Sequence, residues 1–146
     1  MRMKIKKLKE GAHLPQRATE GSAGIDLCAL CEEDIVLAAG QRALVPTGLA
    51  IELPGAQYVA LVFARSGLAL REGLAMANGV GVIDSDYRGE VAVPVINQSD
   101  KEIHIANGQR IAQMLVMPVE LPQLVLVDEL SDTERGEGGF GSTGKG

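Results

Sequence analysis

Short apolar runs, each about the length of one strand and closed by glycine or proline, set the first limit on what this chain can fold into. They fall at residues 4–8, 34–37, 42–45, 49–53, 58–63, 91–96 and 103–105, with stops that include Gly40, Pro46, Gly48, Pro54 and Gly55. Runs this short leave little room for ordinary helices and predict an all-β sandwich or barrel. The run at 58–63 is apolar throughout, which predicts a central strand covered on both faces. Further strands are expected within 108–116 and over 121–127, and a helical turn or two fits at 66–71. With 146 residues the chain has the length for one core. The expected division is a β body over 1–130 and a tail over 131–146, where six of the last eleven residues are glycine and no stable local fold is expected.

Charge narrows the partners. A net charge of -5 and a pI near 5.0 argue against a surface that grips polymeric nucleic acid, which needs clustered cations, but leave room for a small phosphorylated ligand. No apolar run is long enough to cross a bilayer, and the basic start, Arg2, Lys4, Lys6, Lys7 and Lys9, lacks the apolar centre of a signal peptide. A soluble cytoplasmic protein without membrane contacts is expected. Cys28 and Cys31 form a C-x-x-C, yet residues three apart on a strand face opposite ways, and His13 and His104 are distant in the chain. They read as inert buried thiols rather than a zinc or redox pair.

The residues suited to chemistry lie between the runs. Residues 76–90 carry Gly79, Gly81 and Gly89, three acids and Tyr87, and read as a β-hairpin with a functional bend. Gly79 and Gly81 would let another group approach the main chain, and Asp84, one place past Val82 and Ile83, would emerge at the edge of an apolar floor, where a base is useful. An ordinary Asp/Gly turn fits the same letters. Arg65, Ser66 and Gly67 follow directly on a buried strand, so a guanidinium, a hydroxyl and backbone N–H groups could converge on an anion; a plain helix cap fits too. Asp26 lies between Ile25 and Leu27, either as a solvent-facing strand residue or as a carboxylate orienting a water on a metal. Gln113, expected on one face with Ile111 and Leu115, needs a partner, which a phosphate oxygen or a backbone group would supply. In the tail, Arg135 and Phe140 suit a segment that folds over a ligand.

Five segments taken together resemble the five motifs of the trimeric deoxyuridine triphosphate nucleotidohydrolases (dUTPases). They are Ala23-Gly24-Ile25-Asp26-Leu27-Cys28-Ala29, Arg65-Ser66-Gly67-Leu68-Ala69, residues 78–90, Gly108-Gln109-Arg110-Ile111-Ala112-Gln113-Met114, and residues 135–144. They occur in the family's order over nearly the whole chain. The departures, Ile25 where an aromatic is frequent and Ala64 where Gly, Ser or Pro is usual, remove no functional group. The resemblance implies a jelly-roll-like β fold, a homotrimer with active sites shared between subunits, and dUTP as substrate. It implies that Asn78 and the main chain around Val82 and Ile83 bind uracil, that Asp84 is the general base, and that Tyr87 packs on the deoxyribose. Arg65, Ser66, Gly67 and Gln113 would hold the phosphates, Asp26 would orient a water on Mg²⁺, and the tail would close with Arg135 on the phosphates and Phe140 over the base.

Physical chemistry supports such a reader. Uracil presents an N3–H between two carbonyls, whereas cytosine presents an acceptor beside an amino group, so one fixed backbone edge cannot pair with both. Two unpaired buried groups cost about 2–6 kcal/mol, at roughly 1–3 each. Two alternatives remain at this stage: a dCTP deaminase of the same fold, possibly bifunctional, whose chemistry calls for a Glu base, and a non-catalytic nucleotide-binding trimer.

Overall fold

The computed structural model describes residues 1–144. Among them, strands β1 (Lys4–Lys7), β2 (Ile25–Cys28), β3 (Ile35–Leu37), β4 (Arg42–Pro46), β5 (Leu49–Glu52) and β6 (Tyr58–Ala64) precede the helix α1 (Ser66–Glu72). Strands β7 (Leu74–Met76), β8 (Gly81–Ile83), β9 (Ala92–Asn97), β10 (Ile103–Ile105) and β11 (Arg110–Pro118) follow it. They form a four-stranded sheet in the order β2-β11-β6-β8, a three-stranded sheet β4-β9-β7, and the pairs β1-β5 and β10-β3. The architecture is an all-β, jelly-roll-like sandwich, and no described helix is long and apolar enough to cross a membrane.

Period-two alternation builds the core. Leu27, Ala60, Val62, Ala112 and Met114 line the inner face of the large sheet, and Val45, Leu74, Met76, Val93 and Val95 that of the small one, in one continuous apolar cluster. Each fully buried Val, Leu or Met contributes roughly 1.5–3 kcal/mol. The buried Asn97 is satisfied within the protein: its amide donates to the carbonyls of Leu37 and Lys101, and its Oδ1 accepts from the backbone N–H and hydroxyl of Ser99.

Four expectations are corrected. Residues 76–90 are not one hairpin, because β7 pairs with β9 in the small sheet whereas β8 pairs with β6 in the large one. The segment crosses the sandwich, turning at Gly79 (φ 74°) and again where the Tyr87 N–H donates to the Asp84 carbonyl. Strand β6 is central but covered on one face only: Ala60 and Val62 are buried, while Val59, Leu61 and Phe63 are half-buried on the other side. Residues 121–127 form no strand, because the ladder between β11 and β6 ends at Pro118 opposite Tyr58 and the chain then leaves the body with Leu121, Leu124 and Leu126 exposed. Finally, Ile111 does not share a face with Gln113, since a register shift between Arg110 and Ala112 turns it into the core.

Candidate active site

That register shift builds the first cleft. An extra residue in one strand reverses the side-chain alternation beyond it. Arg110, opposite Cys28, and Gln113, opposite Asp26, therefore share the outer face of the sheet although they are three residues apart. Asp26 is 87% buried by its side chain's 13% exposure and accepts from two guanidinium groups, Arg65 Nε and Arg110 Nη1, both at 3.2 Å. Arg65 spends its inner nitrogen on this contact, so its two terminal nitrogens are free to face a ligand. Ser66 and Gly67 open α1, where Arg65 is the extended N-cap (φ -85°, ψ 130°) and makes no side-chain cap bond. The Gln113 amide donates to the Ala64 carbonyl at 3.1 Å, pinning the backbone just before Arg65. Gly24 leaves room for this side chain: a Cβ there would lie 2.5 Å from Gln113 Oε1 and displace the amide. Asp26, Arg65, Ser66, Gly67 and Gln113 thus line one open cleft of about 170 Å³, with Arg65 as its cation, while Arg110 holds Asp26 from outside the cleft and offsets its charge.

A second cavity, of about 330 Å³, lies against β8 and is lined by Asn78, Gly81, Val82, Ile83, Asp84 and Tyr87. Strand β8 is the edge of its sheet, so half of its backbone N–H and C=O groups have no strand partner and can read a ligand. Gly81 permits close packing, since a Cβ there would meet Val62 Cβ at 3.2 Å, whereas Gly79 faces open space and is needed only for its left-handed turn. Asp84 is exposed, one residue past the strand. Tyr87 folds back, its hydroxyl donating to the Glu90 carbonyl at 2.9 Å. Glu90 went unnoticed in the sequence, yet its carboxylate accepts the Gly48 N–H at 2.7 Å and ties the whole segment to the turn between β4 and β5. Thr47 adds a hydroxyl donated to the Val91 carbonyl. Residues 46–48 read in the sequence as turn punctuation, which hid this anchoring role.

Within one chain the two clefts are separate. Ile83 pairs with Ala60, which sets Asp84 level with Val59, while Arg65 follows the far end of β6, six residues on. At about 3.3 Å per residue that is roughly 20 Å. Arg135 and Phe140 reach neither cleft: residues 133–144 form a succession of tight turns, Phe140 is fully exposed with φ 51°, and the hydrogen bonds of 133–144 stay within the segment, while the last two residues of the expected tail lie outside the described residues. Cys28 sits on β2 beside Asp26, and burial, then the Asp26 carboxylate, push its thiol above the usual value against the opposing pull of Arg110 and Arg65. Burial, then Asp34, likewise raises Cys31.

Comparison with known proteins identifies the family. The family model described as dUTPase matches residues 10–144. A protein of Desulfitobacterium hafniense named deoxyuridine 5'-triphosphate nucleotidohydrolase is 57% identical over 131 residues, covering 90% of this chain and 87% of that one. One of the same name from a Hydrogenobaculum species is 51% identical over 145 residues, 99% of each chain. Among solved structures, the dUTPase of Staphylococcus bacteriophage 80alpha, determined with dUPNHPP, superposes with a TM-score of 0.89 at 29% identity over 99% of both chains. With a family model spanning both clefts and the tail, and relatives more than half identical, this chain belongs to the dUTPase family.

Proposed function

We propose that the protein hydrolyses dUTP to dUMP and pyrophosphate in sites assembled between the subunits of a homotrimer. The observation that carries this reading is the division of labour along β6: the Arg65 cleft at one end, and at the other an edge strand followed directly by the exposed Asp84, with the cavity's second carboxylate, Glu90, engaged by the Gly48 N–H. A triphosphate and a reacting water need both at once. The separation of about 20 Å along the strand means that a second copy must supply one of them. The half-buried Val59, Leu61 and Phe63 and the exposed Leu121, Leu124 and Leu126 give such copies apolar surface to cover.

The main chain of β8 and the Asn78 amide read the uracil edge, and Tyr87 packs against the sugar. Arg65, the Ser66 hydroxyl, the Gly67 N–H and the second amide hydrogen of Gln113 take the phosphate oxygens. Asp84 accepts a proton from a water whose oxygen bonds to the α-phosphorus; the bond from that phosphorus to the bridging oxygen breaks, and pyrophosphate leaves. Arg135 and Phe140 close over the phosphates and the base.

Mg²⁺ fits the residues present. Among the described residues no group of three or more His, Cys, Asp and Glu could hold an ion alone, and Asp26 is the single carboxylate of the cationic cleft. A hard cation that brings water and takes most of its ligands from the substrate's phosphates needs no more, with Asp26 holding one of its waters. When bound, it would neutralise phosphate charge. The test is incubation with dUTP, UTP, dTTP and dCTP plus Mg²⁺. Pyrophosphate from dUTP, with little from the others, is expected; ammonia from dCTP would transfer the chain to the deaminase reading, and no turnover of dUTP would end the proposal.

A further inference from the structure

Arg110 has no part in the roles above, yet it makes one of the two charged contacts to Asp26. We propose that Arg110 is a positioning residue that keeps Arg65 available to the triphosphate, an inference that rests on the reading of the cationic cleft as the phosphate site. The Asp26 carboxylate is a wall between two hollows. One face lines the cleft of Arg65, Ser66 and Gln113, and the other lines a cavity of about 500 Å³ shared with His13, Gln16, Cys28 and Arg110. Oδ1 takes Arg65 Nε, and Oδ2 takes Arg110 Nη1. The two arginines therefore hold the carboxylate from opposite sides and fix the plane in which it lies.

The fold spends a specific irregularity on this contact. Without the register shift at 110–112, Arg110 and Gln113 would point to opposite faces of β11, and one of them would be lost to Asp26 and its cleft. Removing the Arg110 cation leaves Oδ2 with no charged partner on a side chain only 13% exposed. The terminal nitrogens of Arg65, whose Nε already holds Oδ1, belong to the one other guanidinium bonded to this carboxylate. Rotation of the carboxylate into a two-pronged pair with that guanidinium satisfies both oxygens, and it withdraws from the phosphates the nitrogens that should bind them. It also turns Asp26 away from any metal-bound water.

Three binding measurements separate this role from a structural one: deoxyuridine, which needs only the β8 cavity, and a non-hydrolysable imido triphosphate of deoxyuridine with and without Mg²⁺. In Arg110→Gln, calorimetry should show the imido triphosphate weakened about 10–100-fold, the range typical of residues that orient a ligand's ligand. The weakening should persist without Mg²⁺, because Arg65 itself is diverted. Deoxyuridine affinity and the thermal midpoint should match the parent, and Arg110→Lys, which keeps the charge, should recover part of the loss. Unchanged imido triphosphate binding in Arg110→Gln overturns the proposal. So does a parallel fall in deoxyuridine affinity and thermal midpoint, which would make Arg110 a fold residue. If the parent protein itself fails to bind the imido triphosphate, the phosphate-site reading falls, which is distinguishable because the variant is then not at issue.

Discussion

The two ends of β6 solve different recognition problems with different materials. At the Arg65 end, side chains from β2, β11 and the start of α1 meet in an ion triad, and long-range pairing fixes their geometry. At the Asp84 end, the working groups are the free edge of β8 and two turns, held in place from behind by Glu90 and Thr47. Charge attraction falls off slowly with distance, so the Arg65 end tolerates small side-chain adjustments. Reading hydrogen-bond polarity on a flat base does not, and a backbone edge is the stiffer instrument.

The sharpest way to break this contrast is to disable each end separately. Asp84→Asn should lower turnover about 10²–10⁴-fold while leaving binding of the imido triphosphate intact, since the amide cannot take a proton. Arg65→Ala should instead lose the triphosphate and keep deoxyuridine. Refolded together, the two inactive variants should regain activity in about a quarter of sites, the statistical share in which an intact Asp84 from one copy meets an intact Arg65 from another. No recovery in verified mixed oligomers would mean that both ends serve one chain's site, against the strand geometry.

Deleting the tail before Arg135 asks whether two ends suffice. Turnover should drop about 10²–10³-fold, the scale of losing a preorganised charge-stabilising donor. The thermal midpoint should hold, because residues 133–144 make no hydrogen bond to the body. Normal activity in the shortened chain would remove Arg135 and Phe140 from the site.

How much of this could be read from the letters divides along the same line. The strand pattern, the helix at 66–72, and Asp26, Arg65, Ser66, Gln113 and Asp84 as polar groups beside apolar runs were legible because each is local. The pairing of Asp26 with Arg110 spans 84 residues and depends on a register shift that no periodicity announces. The supposed hairpin at 76–90 misled because two strands joined by turn residues look alike whether they pair with each other or with different sheets. The run at 121–127 has the apolar content of a strand, but a strand needs a ladder partner, and within the described residues none lies beside it.

Gly81→Ala sharpens the stiffer end at smaller scale. The added Cβ would lie 3.2 Å from Val62 Cβ and 3.6 Å from Met76 Cε, so β8 must shift outward by a few tenths of an ångström. Overpacking of this kind costs about 1–3 kcal/mol, readable as a lower urea midpoint. Deoxyuridine affinity should fall with it, while inorganic pyrophosphate, which needs only the cationic end, should bind as before.

The smallest effect belongs to the wall of the cationic end. Burial and the Asp26 carboxylate hold the Cys28 thiol above its ordinary value, and Arg110 and Arg65 oppose them. A thiol raised in the fold keeps its proton after the unfolded chain, near pH 8.5, has begun to lose its own. Its contribution to stability is therefore complete below that pH and declines as pH climbs through the window up to the raised value. The difference in urea midpoint between the parent and Cys28→Ala should be constant from pH 6 to about 8 and should then move in the variant's favour by pH 10. Asp26→Asn removes the second cause of the raised value while both arginines remain, so alkylation of Cys28 at pH 8 should quicken. An unchanged alkylation rate would show that the carboxylate's field does not reach the sulfur, and that the side-chain end of β6 is less tightly coupled than its distances imply.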